Sequence, residues 1–390
     1  MIYLDNAATT KVAPKVLEEM LPYFSEQYGN ASSIYSLGSA SKKAVNQARR
    51  RIADSLSADM DEIYFTGGGS ESDNWVFQCV CEKYKERGGH IITTKIEHHA
   101  ILHTCEYWEK NGFHVTYLDV DKDGLVDVEK LKNAIRPDTI FISVMFANNE
   151  IGTIQPIAEI GKIAREKNIL FHTDAVQAYG HIPISVEEMH IDFLSASAHK
   201  LNGPKGIGFL YVKKTVKLSS FIKGGAQEKG MRAGTENVPA IVGFGKAVEL
   251  AMEEMEEHGN KERGLREYTL ESMLQKIPDC ILTGDRDRRL PGHISVAFPG
   301  VEGESLLVML DMKGICASSG SACTVGSNEP SHVLRAIGLS DIEAKGSLRL
   351  TVSYENNLDE MDETVKAVEE IVKQLRQMSS LYRAYKKNKQ

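Results

Sequence analysis

Phe193 to Lys205, FLSASAHKLNGPK, is the stretch on which the reading of this chain turns. An apolar, strand-like run (Ile191 to Leu194) passes through small residues (Ser195 to Ala198) to Lys200, and Asn202, Gly203 and Pro204 then end regular structure. The amine of Lys200 is therefore expected at the end of a strand. A lysine partly desolvated there, close to other cations, is more easily neutral and becomes a nucleophile towards carbonyl compounds. The competing reading is a solvated loop lysine, since most of the 46 lysines and arginines must be surface charges.

Three further stretches bear on that choice. Asp174, in ILFHTDAVQ, closes a short apolar run (Ile169 to Phe171) that reads as a buried parallel strand. Ligands of open α/β sheets sit beyond the carboxyl ends of strands, where a carboxylate can keep a heterocyclic nitrogen protonated. Gln177, three residues on, can donate to a neighbouring oxygen; a helix N-cap is the plainer role for Asp174. Phe65 to Asn74, FTGGGSESDN, runs from a strand into an amphipathic helix expected over Asn74 to Glu86, with Ser70 and Asp73 resembling a capping box. Free amides and the helix dipole would make an anion site there. The stretch is neither a Walker A loop nor a G-x-G-x-x-G fingerprint. Ile315 to Pro330, ICASSGSACTVGSNEP, reads as a surface loop with Cys323 near its middle, a thiol placed to swing through about 20 Å.

In order along the chain, IYF with GGGSESDN, IEHHA (Ile96 to Ala100), ANNEIGTIQPI (Ala147 to Ile157), TDAVQ, SASAHK with GPKGIG, GMRAGT (Gly230 to Thr235), SSGSAC and SLRLTVS resemble the pyridoxal phosphate (PLP) dependent cysteine desulfurases of the NifS/IscS type, within the class V aminotransferases. The resemblance begins at YLDNAATT (Tyr3 to Thr10) and continues to Ser353. It implies that Lys200 holds PLP as an imine, Asp174 pairs with the pyridinium nitrogen and Gln177 bonds the ring oxygen. His98 would stack on the ring and move protons. Gly69, Ser70, Ser197 and His199 would bind the phosphate, joined by Thr235 from a second subunit of a homodimer. Asn149 and Arg349 would take the substrate carboxylate, a task suited to the arginine fork. L-cysteine would become L-alanine while Cys323 takes the sulfur as a persulfide and hands it to an iron–sulfur scaffold or a tRNA-thiolating enzyme; contact of Cys323 with a nascent iron–sulfur cluster belongs to the same picture. A selenocysteine lyase or another class V enzyme, and a non-catalytic sulfur-relay scaffold, are the rival readings.

The chain departs from the family pattern in places. Gly67-Gly68-Gly69-Ser70 stands for Ser-Gly-Gly-Thr, Ala31 and Tyr35 replace a proline and a histidine, GGAQE (Gly224 to Glu228) replaces GGGQE, and SYENN follows the Arg349 strand in place of Arg-Tyr/Phe-Thr-Thr. Phosphate binding, substrate access and partner choice are the properties these changes touch.

Strand-like runs at 63–66, 91–93, 115–118, 140–146, 169–172, 192–196 and 207–212 alternate with helical segments, the pattern of an α/β core with a largely parallel sheet. After a helix expected over Pro239 to Glu257, strands at Ile294 to Phe298 and Leu348 to Val352 suggest a smaller α/β unit. The resemblance implies the fold of type I PLP transferases: a segment 1–14 packing with the small domain, a large domain 15–258 with a mostly parallel seven-stranded sheet, and a small domain 259–390 carrying the loop at 316–330. At 390 residues with 42% apolar content the chain can bury a sizeable core. Six cysteines without CxxC spacing, and no apolar run near twenty residues, point to a cytoplasmic protein without structural zinc or a membrane span. The net charge of −8 argues against direct nucleic-acid binding. Asp119 to Gly124 imitates an EF-hand start, but Lys130 stands where the twelfth-position glutamate belongs.

Overall fold

Seven strands form the main sheet in the computed structural model, which describes residues 1–86, 88–320 and 330–389. The first strands in chain order are β1 (Ile2–Tyr3), β2 (Ile63–Thr66), β3 (His90–Thr94), β4 (His114–Leu118), β5 (Thr139–Ser143) and β6 (Leu170–Asp174). They are followed by β7 (Phe193–Ser197), β8 (Gly208–Val212), β9 (Ile281–Leu282), β10 (His293–Ala297), β11 (Ile315–Cys316) and β12 (Ser347–Thr351). The main sheet has the order β2-β8-β7-β6-β5-β3-β4, and within it only β8 runs against its neighbours. This is the expected α/β architecture with a mostly parallel seven-stranded sheet. Its inner strands β3, β6, β7 and β8 are buried almost end to end because helices cover both faces.

Two boundaries differ from expectation for physical reasons. The run expected to 146 leaves regular strand geometry after Ser143, although the amides of Val144 and Phe146 still donate to His172 O and Asp174 O. Between them the Met145 amide turns to the buried carboxylate of Glu97. The helix expected from Asn74 begins at Gly69 and runs to Tyr84, and Ser70 and Asp73 form no capping box. Packing sets its start: a Cβ on Gly69 would lie 2.4 Å from Val176 Cγ2. The chain can enter the helix there only without a side chain, which brings the helix end against the loop after β6.

A helix Val238–Lys276, longer than expected, passes between two cores. Its first part packs Ile241, Phe244 and Val248 into the core around the main sheet. Its last part packs Leu265, Leu270 and Met273 into a second core with Ile294, Leu348 and Leu350 from β10 and β12. The apolar stripe changes partner midway, across the polar stretch Glu253 to Glu257, and that interruption hides the helix's true length in the sequence. Ile2 and Leu4 also belong to the second core, where β1 pairs in parallel with β11. Cys280 and Cys316 are half-buried, whereas Cys79, Cys81 and Cys105 are buried. No helix among the described residues is long and apolar enough to cross a membrane.

The edge of the main sheet is held by a buried ion pair. Arg49, on the helix Ser36–Ser55, donates to Glu228 Oε1 at 2.6 Å and Oε2 at 2.8 Å, and to Ile63 O at 2.6 Å, while the Phe65 amide donates to Glu228 Oε2 at 2.9 Å. Glu228→Ala would leave a buried guanidinium uncompensated and the Phe65 amide unmet. We expect a loss of about 3–5 kcal/mol in urea unfolding, with part of it recovered when Arg49→Met is added.

Candidate active site

Parallel pairing places β6 and β7 side by side, with Asp174 opposite Ser195. Beyond their carboxyl ends opens a cavity of about 330 Å³. Gly69, Ser70, His98, Asn149, Asp174, Gln177, Ser197, His199, Lys200 and Arg349, drawn from separate elements, all line it. Lys200 ends a single turn of helix, Ala198–Lys200, directly after β7.

The N-terminal segment closes one side. Lys200 Nζ donates to Ala7 O at 2.5 Å and to Ala8 O at 2.7 Å, and Gln177 Nε2 donates to Ala7 O at 3.0 Å. Behind the lysine, His181 Nε2 donates to Lys200 O at 2.9 Å. His199 Nδ1 meets Thr9 Oγ1 at 3.1 Å. Burial, aided by Lys200 and Lys205, pushes the His199 pKa down to about 4, so its ring is neutral near pH 7.

Carboxyl groups dominate the cavity floor. Asp174 accepts from the Val176 amide at 2.9 Å, and burial raises its pKa against the opposing pull of His98, that amide and Lys200. Asp73, at 1% exposure, is raised well above its ordinary value by burial and by Asp174. Among the described residues its Oδ1 has no hydrogen-bond donor, and His172 Nε2 lies 3.6 Å away. His172 is fixed by Ser143 Oγ at 2.9 Å and Ser195 Oγ at 3.0 Å, stacks on Phe141, and is driven by burial to a pKa of about 3. A neutral imidazole supplies no counter-charge. The floor therefore suits a ligand that brings a cationic nitrogen to Asp174.

The helix Gly69–Tyr84, which carries Asp73, brings its amino end to the cavity at Gly69 and Ser70; with Ser197 and His199 also in the lining, this is a donor set for an anion. His98 caps the helix His99–Lys110, its Nδ1 accepting the Ala100 amide at 3.1 Å. The proton of the neutral ring therefore sits on Nε2. Arg349, in the middle of β12, donates through Nη1 to Asn149 O at 2.8 Å and through Nη2 to Asp5 Oδ1 at 2.9 Å. Among the described residues its Nε is buried without an acceptor, while the side chain lines the cavity where a ligand carboxylate could meet the guanidinium.

Thr235 is exposed and lies off this cavity, and Cys323 falls outside the described residues. Sequence reasoning passed over the Ala7 and Ala8 carbonyls, Asp5, Asp73 and Glu97. Backbone acceptors leave no mark in a sequence, but the carboxylates sit inside the quoted motifs YLDNAATT, GGGSESDN and IEHHA. Among the described residues no group of three or more His, Cys, Asp or Glu is arranged to hold a metal ion.

Glu97, next to His98, accepts from Thr94 Oγ1 at 2.7 Å and from the Met145 amide at 3.0 Å, and burial nevertheless lifts its pKa to about 8. The folded state thus binds this proton more tightly than the unfolded chain, and the group's contribution to stability falls as pH rises from about 4.5 to about 8. Glu97→Gln should flatten that part of the profile, raising Tm at pH 8 relative to wild type more than at pH 5. Equal shifts at both pH values in thermal melts would contradict it.

A protein-family model, aminotransferase class-V, matches residues 2–363. The cysteine desulfurase IscS of Clostridium botulinum is 54% identical, over 100% of this chain and 98% of its own length. The cysteine desulfurase IscS of Methanosarcina thermophila is 54% identical, over 97% of this chain and 94% of its own. Among solved structures, a NifS-like protein superposes with a TM-score of 0.90 at 39% identity, covering 95% of this chain and 99% of that one. SspA in complex with cysteine superposes with a TM-score of 0.81 at 40% identity, covering 90% and 99%. With its fold, its lysine-lined cavity and full-length relatives in agreement, the chain belongs to the class-V aminotransferase family and, within it, to the cysteine desulfurases.

Proposed function

We propose that the desulfurase reaction of this protein runs on PLP held at Lys200 and passes sulfur from L-cysteine through Cys323. The supporting observation is the arrangement of three groups around one cavity: the Lys200 amine, the buried Asp174 carboxylate, to which no cationic side chain among the described residues is bonded, and the amino end of the helix at Gly69 and Ser70. These match the aldehyde, the ring nitrogen and the phosphate of PLP, so the residues fit the group. When bound, PLP supplies an electron sink for charge developing at the substrate Cα.

The chain's own residues do the rest in this reading. Asn149 and Arg349 would orient the substrate carboxylate at the cavity they line. Gln177 and Asp174 would hold the cofactor's ring, and Ser70, Ser197, His199 and a second subunit's Thr235 would hold its phosphate. His98 presents its Nε2 proton towards the cavity and exchanges it with the reacting atoms. Lys200 would hold the cofactor, and its amine, when free, would serve as a base within the same cavity. The Cys323 thiolate attacks the substrate sulfur; an S–S bond forms, the C–S bond breaks, and its electron pair, with a proton, ends on the carbon that becomes the methyl group of L-alanine.

A homodimer is part of this reading. Leu21, Phe24, Tyr28, Ile34 and Tyr35 form an exposed apolar series on the N-terminal helices and the loop after them, suited to a second copy. So are the division at 1–14, 15–258 and 259–390, a cytoplasmic location, and delivery of sulfur to an iron–sulfur scaffold or a tRNA-thiolating enzyme. The relatives' names and the cysteine complex favour cysteine over selenocysteine as the substrate.

PLP-loaded wild type should form alanine and sulfide from L-cysteine under reductant. Cys323→Ala should lose both, and Lys200→Ala should also lose the absorption of the lysine-bound cofactor. No alanine from loaded wild type, or undiminished sulfide from Cys323→Ala, would overturn the assignment. Asp174→Asn should cut turnover about a hundredfold or more, because the ring nitrogen loses the charge that keeps it protonated; single-turnover absorbance measurements would record it.

A further inference from the structure

The helix end that faces the cavity carries an anion of its own, and an arginine holds it aside. Gly69 and Ser70 line the cavity, and their amides precede the first bond of the helix, from the Ser72 amide to Gly68 O at 3.2 Å. Glu71 takes the next helical position. A glutamate there ordinarily reaches back to the amide of the capping residue, here Gly68. Instead its Oε2 accepts the Gly67 amide at 2.8 Å, and Arg232 grips the carboxylate with both arms of its fork, Nε to Oε1 at 2.9 Å and Nη2 to Oε2 at 3.2 Å. The approach requires glycine at residue 67, where a Cβ would lie 2.7 Å from Glu71 Oε2. Arg232 is fixed through its neighbours: Met231 O accepts the Phe221 amide and the Ala233 amide donates to Ile222 O, each at 2.9 Å. Phe221 in turn stacks on Trp75, one turn beyond Glu71 on the same helix, and Trp75 Nε1 donates to Ser219 O at 2.9 Å.

We propose that Arg232 is a positioning residue for the phosphate cradle: it holds Glu71 on the Gly67 amide and offsets its charge, and so leaves the amides of Gly69 and Ser70 to the phosphate of PLP. A carboxylate in the first turn is drawn to free amides and to the positive end of the helix dipole, which makes it both a competitor and a like charge for a ligand anion at the same place. With 21% of the Glu71 side chain and 25% of that of Arg232 exposed, Glu71 is able to change rotamer without unpacking the core once the arginine is gone. The brace also restrains the run Gly67-Gly68-Gly69, because the first of its three amides is pinned.

The inference rests on the proposed seating of the PLP phosphate at this helix end, and its test separates the two. Full-length wild type, Arg232→Ala, Glu71→Gln and the double variant are freed of cofactor and titrated with PLP and, separately, with pyridoxal, which lacks the phosphate. The absorbance of the lysine-bound form gives each Kd. Arg232→Ala is expected to weaken PLP binding about tenfold or more while leaving pyridoxal within about twofold of wild type. Glu71→Gln, which still accepts the Gly67 amide but carries no charge, should bind PLP at least as tightly as wild type. Added to Arg232→Ala, it should restore PLP affinity to within about threefold of wild type, a non-additivity that marks the two side chains as one unit. Should Arg232→Ala fail to fold, Arg232→Gln is expected to show the same pattern. Wild-type PLP affinity in Arg232→Ala, an equal loss for pyridoxal, or a loss that Glu71→Gln does not relieve would overturn the inference. Wild type that binds pyridoxal as tightly as PLP would overturn the proposed seat of the phosphate itself, and this inference with it.

Discussion

The parallel register between β6 and β7 is the constraint on which the site depends. It sets Asp174 opposite Ser195, so that the carboxylate closing one strand and the Ser197–Lys200 turn closing the next emerge on the same edge of the sheet. A slip of one residue would turn Asp174 to the other face and send the lysine with it. The register is secured from both sides by burial, for Phe171, Phe193 and Leu194 are completely enclosed. Stability of the core and geometry of the chemistry are therefore the same property here, seen at two ends of the same strands.

Around that edge the protein gathers buried carboxyl groups whose ionisation its own fold disfavours. Asp174 and Asp73 lie buried over an uncharged His172, and Glu97 and Glu150 are interior carboxyl groups beside His98 and Asn149. Burial raises all four. Such an arrangement costs folding energy and makes sense where a ligand completes the electrostatics. Arg349 balances part of this field, and Asp5 from the N-terminal segment in turn holds Arg349, so residues at the two ends of the sequence depend on each other for orientation.

Much of this was legible before the fold was seen. Strand-like runs closed by Asp174 and by the SASAHK turn marked two strand ends, and the ordered motifs assigned roles to the residues that the cavity brings together. What could not be read depends on contacts between distant segments. Gly69 starts its helix because Val176 occupies the space where a side chain would go, and nothing local announces that. The partners of Lys200 and Gln177 are peptide carbonyls of Ala7 and Ala8, which any residue could supply. Glu150 looks like a loop residue in ANNEIG; only the return of Ser331, far along the chain, explains why a carboxyl is useful at that point.

The continuous helix from Val238 to Lys276 ties the two cores together by angle as well as by distance. Each residue of a helix turns the chain by about 100° and advances it 1.5 Å. A single insertion or deletion between Val248 and Leu265 would therefore rotate everything built on Leu265, Leu270 and Met273 relative to the main sheet, and carry Arg349 away from Asn149. The polar stretch Glu253 to Glu257 contributes no side chain to either core, yet its number of residues sets the angle between them. That stretch keeps phase between two halves of an active site, and it does so by its length rather than by its composition.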